Sequence, residues 1–156
     1  MKLRKKMTEI IRDKIKIYKK NNKDISELIE DYDLKGEDLS RCLIKKLNRI
    51  NEDISNTNFF GSIIGEEGAT TILSGCDLRN CNFSTCKFLG HLILRASDMR
   101  NSTFISTWFP DVEYQYADFR DVVLCSAVMK FGINEGLNAK FSKKTFEELF
   151  SKWIVE

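Results

Sequence analysis

Large apolar residues recur every fifth position through the middle of this chain. Counting in fives gives Leu73, Leu78, Phe83 and Phe88. After a one-residue slip near Gly90 to Leu94, it gives Met99, Phe104, Phe109, Tyr114, Phe119, Leu124 and Met129. Two positions ahead of them stand small or medium residues: Thr71, Cys76, Cys81, Cys86, then Ser97, Ser102, Thr107, Val112, Ala117, Val122 and Ala127. A period of five fits neither the 3.6 of a helix nor the alternation of a strand, so it marks a repeated unit rather than one regular element. The same register runs upstream in degenerate form through Leu34, Leu39, Ile44, Ile54, Phe59 and Ile64. There it is broken at Arg49, and Glu37 and Glu52 fill small positions. From Ile64 to Leu73 the count is nine instead of ten, and Gly65, Gly68 and the acidic pair Glu66-Glu67 suit a bulge or short loop leaving the wall.

The segments "CDLRN", "CNFST", "SDMRN", "STFIS" and "ADFRD" resemble the A(D/N)LXX units of the pentapeptide repeat family over roughly residues 32–131. The resemblance implies an all-β solenoid, a right-handed quadrilateral β-helix in which four pentapeptides make one square coil. Such a coil puts the bulky side chain in the interior and the small one at the inner wall, and stacked coils share one core. Cys76, Cys81 and Cys86 are then packing residues, where a free thiol serves as a compact hydrophobe. Their spacing points them from different walls, which argues against a zinc site.

An open β-helix end exposes strand edges and core, so both ends need covers. Leu3, Met7, Ile10, Ile11, Ile15 and Tyr18 fall at helical spacing before Asn21-Asn22, and "KDISELIEDY" reads as a second short helix with Asp24 and Glu27 as a capping box. At the other end Ser142 precedes an amphipathic stretch carrying Phe146, Leu149, Phe150, Trp153 and Ile154. The expected organisation is a helical cap over 1–31, a β-helix over 32–131 (degenerate to 70, regular from 71), and a connector with a carboxy-terminal helix over 132–156.

Charge then narrows the function. The chain holds 25 Lys/Arg against 23 Asp/Glu, and its excess of base lies in residues 1–31 with ten against six. The repeat region is balanced, which disfavours the dense negative field that mimicry of duplex DNA requires. No long apolar run or export signal is legible, and five cysteines, an odd number, suit reduced thiols, so a cytoplasmic location without a membrane partner is expected. One histidine, His91, has no legible nucleophile beside it, and no cofactor or metal motif appears; the reading is no enzyme, no cofactor and no metal.

What remains is recognition. If Phe109 points inward, Trp108 points out, with Val128 one coil later beside it and Ile105 and Val123 around the adjacent corner. With Glu66 and Glu67 of the loop, these are the candidate partner-binding residues. The carboxy-terminal helix is expected to form a homodimer through Phe146, Leu149, Phe150, Trp153 and Ile154, or else to fold back over Trp108 and Val128. The expected function is a noncatalytic protein-interaction module whose partner is an unidentified protein; the resemblance implies a DNA-associated enzyme such as a topoisomerase as one kind of partner. The alternative is binding of nucleic acid or an anionic surface through the basic amino-terminal helix.

Overall fold

In the computed structural model, which describes residues 2–109, 111–129 and 138–150, the chain winds into a four-walled β-solenoid. Its helices are α1 (Lys2–Lys20), α2 (Ser26–Ile29) and α3 (Lys143–Phe150). Its short strands are β1 (Leu43–Ile44), β2 (Asn48–Ile50), β3 (Ile63–Ser74), β4 (Lys87–Ile93), β5 (Trp108–Phe109), β6 (Asp111–Glu113), β7 (Asp118–Phe119), β8 (Val128–Met129) and β9 (Lys140–Phe141). Every pairing between them is parallel, as successive turns of one solenoid demand.

The bulky positions sort into four walls. Leu34, Ile54, Leu78, Met99 and Phe119 fill the first from inside, and Leu39, Phe59, Phe83, Phe104 and Leu124 the second. Ile25, Ile44, Ile64, Phe88 and Phe109 fill the third, and Leu73, Leu94 and Tyr114 the fourth; all are buried. Because rungs repeat at strand spacing, like residues stack: Phe59, Phe83 and Phe104 form a near-parallel column with ring centroids 4.8 and 5.0 Å apart.

Three side-chain roles explain the five-residue code. On the first wall and part of the second, the polar residue before the bulky one closes the strand end by accepting the backbone N–H two positions on: Asp77 from Arg79, Asn82 from Ser84, Asp98 from Arg100 and Asp118 from Arg120. The second residue after the bulky one turns the corner in the left-handed region, as Asn56, Asn80, Asn101 and Asp121 do; Asn and Asp tolerate that conformation best after glycine. The small slot does more than fill space. Where it holds Ser, Thr or Cys, its side chain donates to the carbonyl of a bulky residue in the coil below, Ser102 to Leu78 at 2.6 Å, Thr107 to Phe83 at 2.7 Å, and Cys81 to Ile54 at 3.2 Å. That makes the slot a place for a compact donor, and explains why Ser, Thr and Cys share it.

The corner between the third and fourth walls differs. Among the described residues, no non-glycine residue there has positive φ. It also takes up the irregular spacing: Asp53 pairs with Asp77, 24 residues on, whereas Asp77 pairs with Asp98, 21 on, and Asp98 with Asp118, 20 on. Ile64 and Leu73 therefore lie on consecutive walls with four residues inserted, rather than on walls two units apart with one residue lost. The inserted backbone is held against the next coil so closely that a Cβ on Gly90 would stand 2.3 Å from the Ala69 carbonyl oxygen and 2.4 Å from that of Glu66. Gly90, at φ +74, is the residue that permits this approach.

Both ends depart from the expected boundaries. The first rung begins before residue 32: Asp24 bridges to Leu43, Ile25 occupies the third wall, and Asp24 accepts from the N–H groups of Ser26 and Lys45. The expected capping box is thus a repeat corner, and only Ser26–Ile29 is helical. Arg49 breaks the bulky pattern because the fourth wall has the end of α2 beneath it instead of a strand. Its buried guanidinium donates to the carbonyls of Glu30, at 2.6 Å, and Ile29, satisfying groups that a leucine would leave bare. At the other end, Lys140–Phe141 pairs in parallel with Asp118–Phe119 and Phe141 stacks on Phe119 at 5.2 Å. Part of the expected connector is another rung.

Candidate protein-interaction surface

The outer sides of the walls have different chemistry. On the first, Asp77, Asp98 and Asp118 each take a side-chain hydrogen bond from the arginine two positions on, at 2.5 to 2.9 Å. Arg79 also lies 3.8 Å from Asp98, and Arg100 3.9 Å from Asp118, so the pairs join between coils. These arginines hold the three carboxyls below their usual range, against the opposing effect of partial burial. The wall neutralises itself.

The third wall is apolar outside. In register from coil to coil stand Leu43, Ile63, Lys87, Trp108 and Val128. Ile63 and Trp108 are each 40% exposed, large values for side chains in the middle of a sheet. Lys87, between them, sets its ammonium 5.7 Å from the Trp108 ring centre, covering part of the indole while keeping its charge in water.

The structure brings most of the expected partner-binding residues to the edges of this wall. Trp108 and Val128 are direct register partners. Ile105 is exposed at the corner shared with the second wall, while Val123 pairs with Thr103 on the second wall itself and is partly covered. Glu66 and Glu67 are exposed at the opposite corner, and Glu66 forms a 2.8 Å ion pair with Lys45. Ile63, not among the expected residues, stands on the same outer side of the wall. The signal for it was available, since it precedes the inward Ile64 as Trp108 precedes Phe109.

The described part of α3 lies on the end of its own stack. Ser142 caps it by accepting the Thr145 N–H at 3.2 Å, the buried Thr145 hydroxyl donates to the Val122 carbonyl at 3.2 Å, and the Leu124 N–H donates to Glu148. In the described part of α3, Thr145 and Glu148 are side chains that meet the coil. Phe146 is exposed on the other side. The side chains of Leu149 and Phe150, and all of Trp153 and Ile154, lie outside the described residues.

The histidine is an interstrand clasp. His91 Nδ1 lies 2.7 Å from Asp111 and Nε2 2.8 Å from Glu113, both one coil on, and Glu113 is also paired with Arg95. Two carboxylates can only accept, so both ring nitrogens donate and the bonded form is imidazolium. Burial pushes the ring's pKa down, but the bonds to Glu113 and Asp111 outweigh it and the net shift is upward. The clasp is therefore intact below the ordinary histidine pKa and lost as pH rises through the folded value. Stability should fall as pH rises from the ordinary histidine range through the raised folded value, by no more than about 1 kcal/mol after solvent screening, and this slope should vanish in His91→Gln; an unchanged slope would remove the clasp.

Among the described residues, no three His, Cys, Asp or Glu side chains are placed to hold a metal ion, and no helix is long and apolar enough to cross a membrane.

Slot code and coil pairing together define the class: this is a four-walled β-solenoid built on a five-residue repeat, with helices at its termini. Its structure is similar to that of Rfr23, a pentapeptide repeat protein from the cyanobacterium Cyanothece 51142, at 13% identity and a TM-score of 0.47 over 76% of this chain and 94% of that one. It is similar also to alr5209, a pentapeptide repeat protein from Nostoc Pcc 7120, at 20% identity and a TM-score of 0.39 over 76% of this chain and 96% of that one. No protein-family model and no curated protein matches the sequence.

Proposed function

We propose that this chain is a noncatalytic protein-interaction module that binds a protein partner through the outer side of its third wall. The observation that carries the reading is the outward set Leu43, Ile63 and Trp108, with Lys87 laid along the indole, on a rod whose first wall is closed by its own ion pairs. A rigid wall with one protruding indole supplies the kind of anchor on which protein interfaces concentrate their energy, and the partner should offer an apolar recess to it. The flanking Glu66-Glu67 loop and Ile105 form the rim. The chain's one histidine is bonded at both nitrogens, which supports a structural rather than a catalytic part for it.

Capture from the native host tests this with three baits: wild type, Trp108→Glu and the first-wall control Arg100→Glu. The expected result is a protein retained by wild type and control and lost by about tenfold or more with Trp108→Glu, whose melting should stay within about 1 kcal/mol of wild type. Equal retention by all three would refute the reading.

Exposed Phe146 supports a second reading, a homodimer through the apolar face of α3. Sedimentation should then give a dimer that Phe146→Asp converts to a folded monomer, while a wild-type monomer at high concentration would exclude it.

A further inference from the structure

Among the described side chains, the apolar positions of α1 are divided between two faces, and only one packs on the core. Ile15 is buried, with Ile11 and Tyr18 packed on the core beside it. Arg12 fixes the rotation of the helix by a two-pronged bond to Glu37, Nε at 3.0 Å and Nη2 at 2.5 Å, and Lys23 sits over the Tyr18 ring. So anchored, the helix holds Met7, Ile10 and Ile17 outward at 57%, 47% and 58% exposure. Their spacing of three and seven puts them on one line along the helix, with exposed Lys14 between Ile10 and Ile17 in the same line. An apolar line of this kind, held away from its own core by an ion pair whose Glu37 is buried and whose Arg12 is half-exposed, is not accounted for by capping the stack.

Charge selects the occupant. Residues 2–20 carry nine Lys/Arg against Glu9 and Asp13, a balance of +7, while the chain's total is +2, leaving −5 for everything else. Glu37 consumes Arg12, and Asp13 is paired with Lys16, but Lys14 and Lys20 are exposed. A second copy of α1 would bring like charge to like charge. Duplex nucleic acid would use the lysines and leave the three apolar side chains in water. A surface that is negative in front and apolar just behind satisfies both at once, which is the composition of an anionic bilayer.

We propose that α1 is a peripheral docking helix for anionic phospholipid bilayers, lying in the interface with Met7, Ile10 and Ile17 inserted and its lysines at the headgroups. This departs from the expectation of no membrane partner, which concerned spanning segments. It specifies the anionic-surface alternative and is independent of the third wall.

Flotation of the full chain with vesicles tests it, using phosphatidylcholine alone or with about one-third phosphatidylserine. Wild type should float with the anionic vesicles and not the neutral ones, and lose binding as salt rises. Ile10→Asp, Ile17→Asp and, separately, Lys14→Glu, Lys20→Glu should each reduce binding about tenfold or more while melting as wild type does, and Trp108→Glu should float normally. Failure of wild type to bind anionic vesicles at low salt would overturn the proposal. So would duplex DNA binding that survives Ile10→Asp, Ile17→Asp alongside undiminished flotation, which would show the charge alone at work. Self-association that the same double change abolishes, without vesicle binding, would assign the face to a second copy instead.

Discussion

Cys81→Arg is expected to abolish cooperative folding, at a cost of about 4 kcal/mol or more, whereas Cys81→Ser should stay within about 1 kcal/mol of wild type. Cys81 is buried at the inner wall with its thiol directed to the Ile54 carbonyl, and its own N–H bonds to the Ser102 hydroxyl. Arginine there would bury a long charged side chain in a slot filled by a thiol, and it could leave only by opening the stack. Serine keeps a small donor where Ser97 and Ser102 already serve the coil above. Circular dichroism and denaturant melts read both outcomes, and a folded Cys81→Arg protein would refute the inward placement. Burial pushes the thiols of Cys81 and Cys86 up to about 12 and that of Cys42 to about 11, so at pH 8 a thiol reagent should label exposed Cys125 quickly and those three slowly.

Phe83→Ala should cost about 3–5 kcal/mol, a large share of the ~5–15 kcal/mol by which domains are stable. Phe83 sits between Phe59 and Phe104 in the second-wall column and touches Phe88 across the corner at 5.8 Å. The rungs above and below are fixed by backbone ladders, Phe83 N–H to Thr103 and Phe59 N–H to Asn82, so the walls cannot close over the cavity. A solenoid transmits such a loss to its nearest neighbours, and hydrogen exchange should rise most in the rungs of Phe59 and Phe104. A loss under about 1 kcal/mol would mean that the column does not bear on stability.

The sequence by itself determined the coil. Its period of five, its alternation of small and bulky residues and its Asp and Asn corners are local requirements met within one unit, and so can be read from one unit. The inward cysteines and the outward Trp108 follow from the same count. What lies between units did not show. Arg49 looked like a break in the pattern because the carbonyls it serves belong to α2, twenty residues earlier. The insertion after Ile64 looked like a lost residue because only pairing of β3 with β4 shows which wall Leu73 joins. In α1, one apolar pattern served two faces, and only the Arg12–Glu37 bond decides which points to the core. Short-range geometry repeats and leaves a periodic trace; contacts across twenty or more residues occur once, and the tertiary structure alone decides them.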